Sequence, residues 1–172
     1  MEITTPRLTL RPVRMSDLHT THAYAGHLEN TRFMMYLPYA SIEETEEVLR
    51  EAVDQWQSDA PERLEFAICL GGVHIGGITL YFQGAPDEAE LGWVLHRDHW
   101  RRGYVTEAAR ALMDYARQER GIRRIFACCD SENAASRGVM EKLGMQLVKS
   151  DGRRHNRSMA EERIELTYEI RY

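Results

Sequence analysis

The sequence predicts an α+β fold: a mixed central β-sheet flanked by helices, in a single domain over residues 1–172. Three observations carry that reading. Between residues 64 and 95, apolar positions alternate in three short runs separated by glycine-containing turns, the pattern of an antiparallel meander. After residue 96 the order becomes helix, strand, helix, strand, strand, so helical and extended periodicities take turns. Finally, 172 residues that are 43% hydrophobic and 28% charged can bury about two-thirds of their unfolded surface, enough for one core without a disulfide or metal staple.

Each element has a local cause. Leu8, Leu10 and Pro12 alternate with Arg7, Thr9 and Arg11, a half-buried strand that Pro12 closes. Ser16 and Asp17 offer a cap for a helix running through His19, His22, Ala23 and Ala25 toward Leu28. Ser41, with Glu44 three residues on, forms a capping box for a second helix through Val48, Ala52, Val53 and Trp56. In the meander, Gly71-Gly72 is a two-residue hairpin turn. Gly76-Gly77 inside the next run points to a bulge or a close backbone approach. A turn at residues 84–87 leads to a strand over 89–95. Gly103 then opens a helix with the apolar stripe Ala108, Ala109, Leu112, Met113 and Ala116, which Gly121 ends. Residues 122–129 make a short strand, and residues 133–143 a helix with Gly144 as its C′ residue. A strand starts at residues 145–148, residues 152–161 read as a polar loop, and residues 164–170 alternate as a closing strand.

Composition excludes several classes. A net charge of −5 argues against a nucleic-acid partner, which needs a basic face. Three cysteines (Cys69, Cys128, Cys129), an odd count with two adjacent, make no disulfide framework and read as reduced thiols. The first ten residues carry no secretory signal, and no stretch approaches the 18 apolar residues of a membrane span. The expected location is the cytoplasm, where the sequon at Asn156 has no role. His19 and His22 share a helix face and His96 and His99 are three apart, but neither pair has a cysteine or carboxylate set beside it, so no metal is expected. From Glu43 to Glu65 there are nine acidic residues against Arg50 and Arg63. The run reads as a solvated helix face; the alternative is an acidic wall that draws in a cationic substrate.

The chemistry concentrates in residues 90–107, ELGWVLHRDHWRRGYVTE. A strand ends in a short basic loop with one glycine, and a helix starts at once. Unpaired amides and the helix dipole favour an anion there. Gly103 permits close backbone approach, Arg101 and Arg102 add charge, and the Thr106 hydroxyl lies in the first turn. Together they describe a pyrophosphate cradle, although neither a Walker-type loop nor a dinucleotide fingerprint is present. A second segment, NAASRGVMEKLGM at residues 133–145, starts and ends the following helix.

With RLTLRPV, ELGWVL, HWRRGYVTEAARALMDYA and NAASRGVMEKLGM in this order, the chain resembles the GCN5-related N-acetyltransferase (GNAT) superfamily, and within it the ribosomal-protein N-terminal acetyltransferase group. The resemblance covers nearly the whole chain. It implies acetyl-CoA as donor, a primary amine as acceptor, a V-shaped splay between two parallel central strands, and a homodimer. By resemblance, the backbone of Trp93, Val94 and Leu95 meets the pantetheine arm. Trp100, Arg101, Arg102, Gly103, Tyr104, Val105 and Thr106 form the pyrophosphate loop, and Asn133 bonds the cofactor arm. Ser136 stands where related members use a serine as proton donor. Val105 replaces a small residue, Met140 the tyrosine many members use as general acid, and Cys128 a glutamate base. Glu90, on the strand feeding the splay, is the candidate base, and His96 and His99 flank the cofactor loop. Cys128, in an apolar strand, is not read as a nucleophile. The acceptor stays open between a protein N-terminus, a polyamine, an amino sugar and an amino acid. The rival reading is a non-catalytic acyl-CoA sensor or interaction module on the same fold.

Overall fold

A computed structural model describes residues 1–82 and 84–172. Its elements run β1 (Ile3–Thr4), β2 (Leu8–Pro12), α1 (Leu18–Ala25), α2 (Leu28–Thr31), α3 (Ile42–Gln55), β3 (Arg63–Leu70), β4 (Val73–Tyr81) and β5 (Glu88–Leu95). They continue with α4 (Tyr104–Arg120), β6 (Arg124–Asp130), α5 (Ala134–Lys142), β7 (Gln146–His155) and β8 (Glu162–Arg171). The eight strands form one sheet in the order β1-β2-β3-β4-β5-β6-β8-β7. Every neighbouring pair is antiparallel except β5 and β6. The α+β class and the meander are as expected.

Local chemistry explains most boundaries. Gly71 and Gly72 both have positive φ, 56° and 85°, as the tight β3–β4 turn requires. Opposite Gly76 the β3 register shifts between Ile68 and Cys69, and a side chain at Gly76 would collide with the Val94 carbonyl. Ser41 caps α3 by accepting from the Glu44 amide at 3.2 Å, while the Glu44 carboxylate accepts from the Ala40 amide. Gly103 and Gly121, at φ 77° and 67°, bracket α4.

One face of the sheet packs on α4 and α5. Ala108, Ala109, Leu112 and Met140 lie against Phe66, Ile78, Leu80, Leu91 and Ile125, all buried. The other face is covered by α1 and α3, with Leu49 and Ala52 on Val13 and Ala67, and Tyr24 and Ala25 beside Leu37.

Three expectations are corrected. Asp17 does not cap α1. Its carboxylate is bidentate with Arg11 at 2.7 and 2.8 Å and accepts from the Arg14 amide, within a 3₁₀ turn at Met15–Asp17. The helix does not reach Leu28, because α1 stops at Ala25 before Gly26. Residues 152–155 are not loop, since β7 continues to His155. Its polar residues are held there by inward partners rather than by apolar burial. Arg154 donates to Asn156 at 2.9 Å and to Glu165 at 3.3 Å, and Asn156 donates to Asp130 at 2.6 Å. The last strand, β8, is interior, and β7 forms the edge.

Asp130, with a fully buried side chain, ties this network together by also accepting from Arg163 at 3.0 Å. Burial alone would raise its carboxyl; Arg163, the Glu132 amide and Asn156 outweigh that and hold it below the ordinary 3.8. A depressed folded value contributes stability that is present above 3.8 and lost as pH falls below it. Asp130→Asn should therefore cost about 3–5 kcal/mol at pH 7, the range for breaking a buried pair. Urea melts across pH would show the gap to wild type closing in acid; a gap that does not depend on pH would contradict the assignment.

Candidate active site

The site begins where two strands part. β5 and β6 pair at Glu88–Arg124, Ala89–Ile125 and Glu90–Phe126 and no further, although β5 runs to Leu95 and β6 to Asp130. Beyond Glu90 each keeps its outer partner: β5 stays on β4 to Leu95, and β6 on β8 to Asp130. The result is a fork with an open edge on β5. The His96 amide donates to the Ile75 carbonyl. Antiparallel pairing alternates, so the backbone groups of Leu91, Trp93 and Leu95 face the fork, whereas those of Val94 face β4. Of the three residues expected to offer backbone to a pantetheine arm, Trp93 and Leu95 point the right way and Val94 does not. Val94 instead packs beside Tyr24 and Leu37. The Leu95 carbonyl is already taken by the Asn30 side chain at 2.8 Å and the Trp100 indole at 2.7 Å. Those two bonds end the fork and anchor the next loop.

That loop, Trp100–Gly103, turns on two left-handed residues, Arg101 at φ 60° and Gly103 at φ 77°. The first backbone bond into α4 is from the Glu107 amide to the Gly103 carbonyl. The amides from Arg101 to Thr106 have no backbone acceptor among the described residues. Arg101 and Arg102 are exposed beside them. Free amides and two arginines thus meet at the N-terminus of a 17-residue helix, an arrangement that favours an anion.

Arg7, not singled out from the sequence, braces it. Its Nε donates to Glu107 at 2.6 Å, its Nη1 donates to the Arg102 carbonyl at 2.9 Å, and its guanidinium lies over the Tyr104 ring. Thr5 also donates to Glu107 at 2.6 Å. Burial would raise the Glu107 carboxyl, but Thr5 and Arg7 hold it below its ordinary value. A signal existed in the RLTLRPV segment, but nothing local linked residue 7 to residue 107.

Across the fork, Asn133 caps α5, its side chain accepting from the Ser136 amide at 3.1 Å. Its carboxamide NH₂ has no partner among the described residues. Ser136 is half-buried, and Arg137 beside it has a buried Nε without an acceptor. Met140 is 1% exposed in the core. The Cys128 thiol is pushed up to about 11 by burial, which suits a structural thiol. His96 and His99 are half-buried rather than exposed. His99 is lowered by burial, then by Arg102 and His96, and its Nδ1 is buried without a partner.

The register places a second set of groups on the face under α1 and α3. Glu65, Thr79 and Gly92 share one row, and Tyr81, Glu90 and Phe126 the next. The Tyr81 ring lies over Gly92, where an added Cβ would stand 3.1 Å from it. Glu90 is half-buried; burial, then Glu165, raises its carboxyl, and Arg154 partly offsets this. This face is roofed by a clasp between residues 32–44 and 154–158. Arg157 donates to Glu44 at 2.6 Å and to the Tyr36 carbonyl, Ser158 donates to the Arg32 carbonyl, and Arg154 to the Phe33 carbonyl. The acidic run thus divides. Glu44, Glu46 and Glu51 on α3 pair with Arg157, Arg50 and Arg63, while Glu65 turns inward.

An open strand edge leading into free helix-terminal amides suits a ligand with an extended amide arm and an anionic end. The family model "Acetyltransferase (GNAT) domain" matches residues 7–146, and the chain belongs to that family of acetyl-CoA-dependent acetyltransferases. It is similar to the uncharacterized N-acetyltransferase YnaD of Bacillus subtilis, with 32% identity covering 85% of this chain and 83% of YnaD. It is 24% identical to the spermidine N(1)-acetyltransferase of Escherichia coli, over 80% and 72% of the two chains. Its fold matches that of RimL, a ribosomal L7/L12 α-N-protein acetyltransferase solved in complex with coenzyme A. The TM-score is 0.83 at 19% identity, covering 99% and 98% of the chains.

The brace yields a prediction. Arg7→Gln should raise the acetyl-CoA KM about tenfold with kcat within about twofold, the scale of one lost charge-assisted hydrogen bond. Gly103→Val, which forces an L side chain to φ 77°, should do the same at a strain of about 1–2 kcal/mol. Unchanged KM in folded variants would remove the loop from donor binding.

Proposed function

We propose that residues 1–172 act as one N-acetyltransferase domain that moves the acetyl group of acetyl-CoA directly onto a primary amine in a ternary complex. The observation that carries the reading is the open edge of β5 beyond Glu90, which runs on toward the unpaired amides from Arg101 to Thr106. The Trp93 backbone and the Leu95 amide receive the extended arm as a strand edge receives another strand. Arg101, Arg102 and the amides through Thr106 hold the pyrophosphate, with Tyr104 and Val105 in the first turn. The Asn133 carboxamide bonds the arm from the other side. No helix among the described residues is long and apolar enough to cross a membrane.

The reaction moves two protons. Glu90 takes one from the attacking amine. Its raised carboxyl suits it to that task better than an ordinary glutamate. Ser136 gives one to the departing thiolate from the first turn of α5, where the helix dipole also favours negative charge. Most of the rate comes from holding amine and thioester together.

Thiol release from acetyl-CoA over a panel of spermidine, a peptide with a free N-terminus, an amino sugar and an amino acid tests the reading. Turnover on at least one amine is expected; donor binding with no turnover would favour the sensor alternative. Ser136→Ala should lower kcat about 10²-fold with little change in KM, as expected for a lost proton donor. In Glu90→Gln the acid-side fall of the rate profile should lose the inflection that Glu90 contributes, because a base works only when deprotonated. Wild-type kcat in both variants would return the two residues to structural roles.

A further inference from the structure

We propose that Glu65 is a cation subsite for the acceptor, which makes aliphatic diamines and polyamines the preferred substrate class. The proposal rests on the acetyl-transfer reading above, and deepens it. Glu65 stands on β3 in the row Glu65–Thr79–Gly92, so it lies two strands from the fork edge. With strands about 4.8 Å apart, its backbone is about 10 Å from that of Gly92. The Tyr81 ring, lying over Gly92, bridges the interval.

Three features make Glu65 unusual among the acidic residues of this chain. It is half-buried beneath the helices, yet its carboxylate has no hydrogen-bond partner among the described residues. It faces aromatic groups: a Cβ added at Gly77 would stand 3.5 Å from its Oε1 and 3.4 Å from the Tyr24 hydroxyl. After burial, its charge is also the largest influence raising the hydroxyls of Tyr24, Tyr39 and Tyr81. The one cation that offsets it is Arg63, two residues along the strand and engaged with Glu51 at 3.4 Å.

An isolated carboxylate among tyrosine hydroxyls matches an ammonium group by charge and by the neutral hydrogen-bonding groups around it. Burial without a counter-ion raises the Glu65 carboxyl, which Arg63 only partly offsets, and a bound ammonium supplies the charge that favours its ionised form. The attacking amine must reach the fork, where it is neutral. An ammonium on Glu65 is therefore a second nitrogen of the same substrate, separated from the first by several methylenes. A peptide N-terminus has no such second group unless its sequence provides one.

The test compares diamines and spermidine with monoamines of equal length. In wild type, kcat/KM for 1,4-diaminobutane or spermidine should exceed that for butylamine or hexylamine at least tenfold; in Glu65→Gln the ratio should fall toward one. Because the carboxylate is unpaired, Glu65→Gln should keep or raise the melting temperature, whereas a structural carboxylate would lose stability on the same change. A diamine preference that survives in Glu65→Gln, or wild type showing none, overturns the subsite. If no amine is acetylated, the catalytic reading fails separately. Calorimetric binding of spermidine to wild type and Glu65→Gln with coenzyme A present then decides the subsite, equal affinities counting against it.

Discussion

The arrested pairing of β5 and β6 is the constraint on which the site depends. Three parallel register pairs hold the two halves of the sheet together, and at Glu90–Phe126 they stop. Had the pairing continued, the backbone groups of Leu91, Trp93 and Leu95 would be consumed in a ladder. Instead they form an edge inside the molecule rather than at its rim. An open edge normally invites another chain. Here it lies in the middle of the sheet, between β4 and β6, where a rim partner does not reach it. The clasp of residues 32–44 with 154–158 has its own logic. The halves that separate at the fork are rejoined above it by polar bonds from Arg154, Arg157 and Ser158.

The sequence exposed what local pattern controls. The meander, the stripe of α4, the glycine before it and Asn133 ahead of α5 all lie within spans of a few residues, where periodicity and capping chemistry act. It hid what distant pairing controls. Arg154 and Asn156 look like loop residues because nothing nearby explains their burial; their partners are Glu165 and Asp130. Arg7 looks like the polar phase of a strand, yet its partner is a hundred positions away at Glu107. Glu65 is the sharpest case. As one of nine acids in a run, it is statistically a surface residue. Only the register of β3 with β4 and β5 shows that it shares a face with Glu90 and the fork. Glu44, Glu46 and Glu51 on α3 pair with arginines, and Glu65 alone of these four turns inward.

Val94 shows the limit of transferring roles by resemblance. The segment Trp93-Val94-Leu95 matches a family motif, but backbone direction alternates along a strand. A contiguous triplet therefore cannot all face one ligand. The structure assigns the odd-numbered positions to the fork and the even-numbered side chain to the cluster with Tyr24 and Leu37. A motif fixes which strand lines a site more securely than which atoms do so.

The absence of the usual helix tyrosine also has a geometric consequence. Met140 occupies that position, with no proton to give, and is sealed in the core. Ser136 lies four residues earlier on α5, and residues four apart share a helix face. In the proposed reaction the Ser136 hydroxyl takes over the donor duty one turn toward the N-terminus of α5. That is the end of α5 where unpaired amides carry partial positive charge. A serine is a weaker acid than a tyrosine; in the proposed reaction the partial positive charge at the helix terminus offsets this by stabilising the anion that proton transfer leaves on the Ser136 oxygen. On the opposite wall, burial keeps Cys128 a neutral thiol. In the proposed reaction the carboxylate duty falls to Glu90 on β5, at the last rung before the strands part.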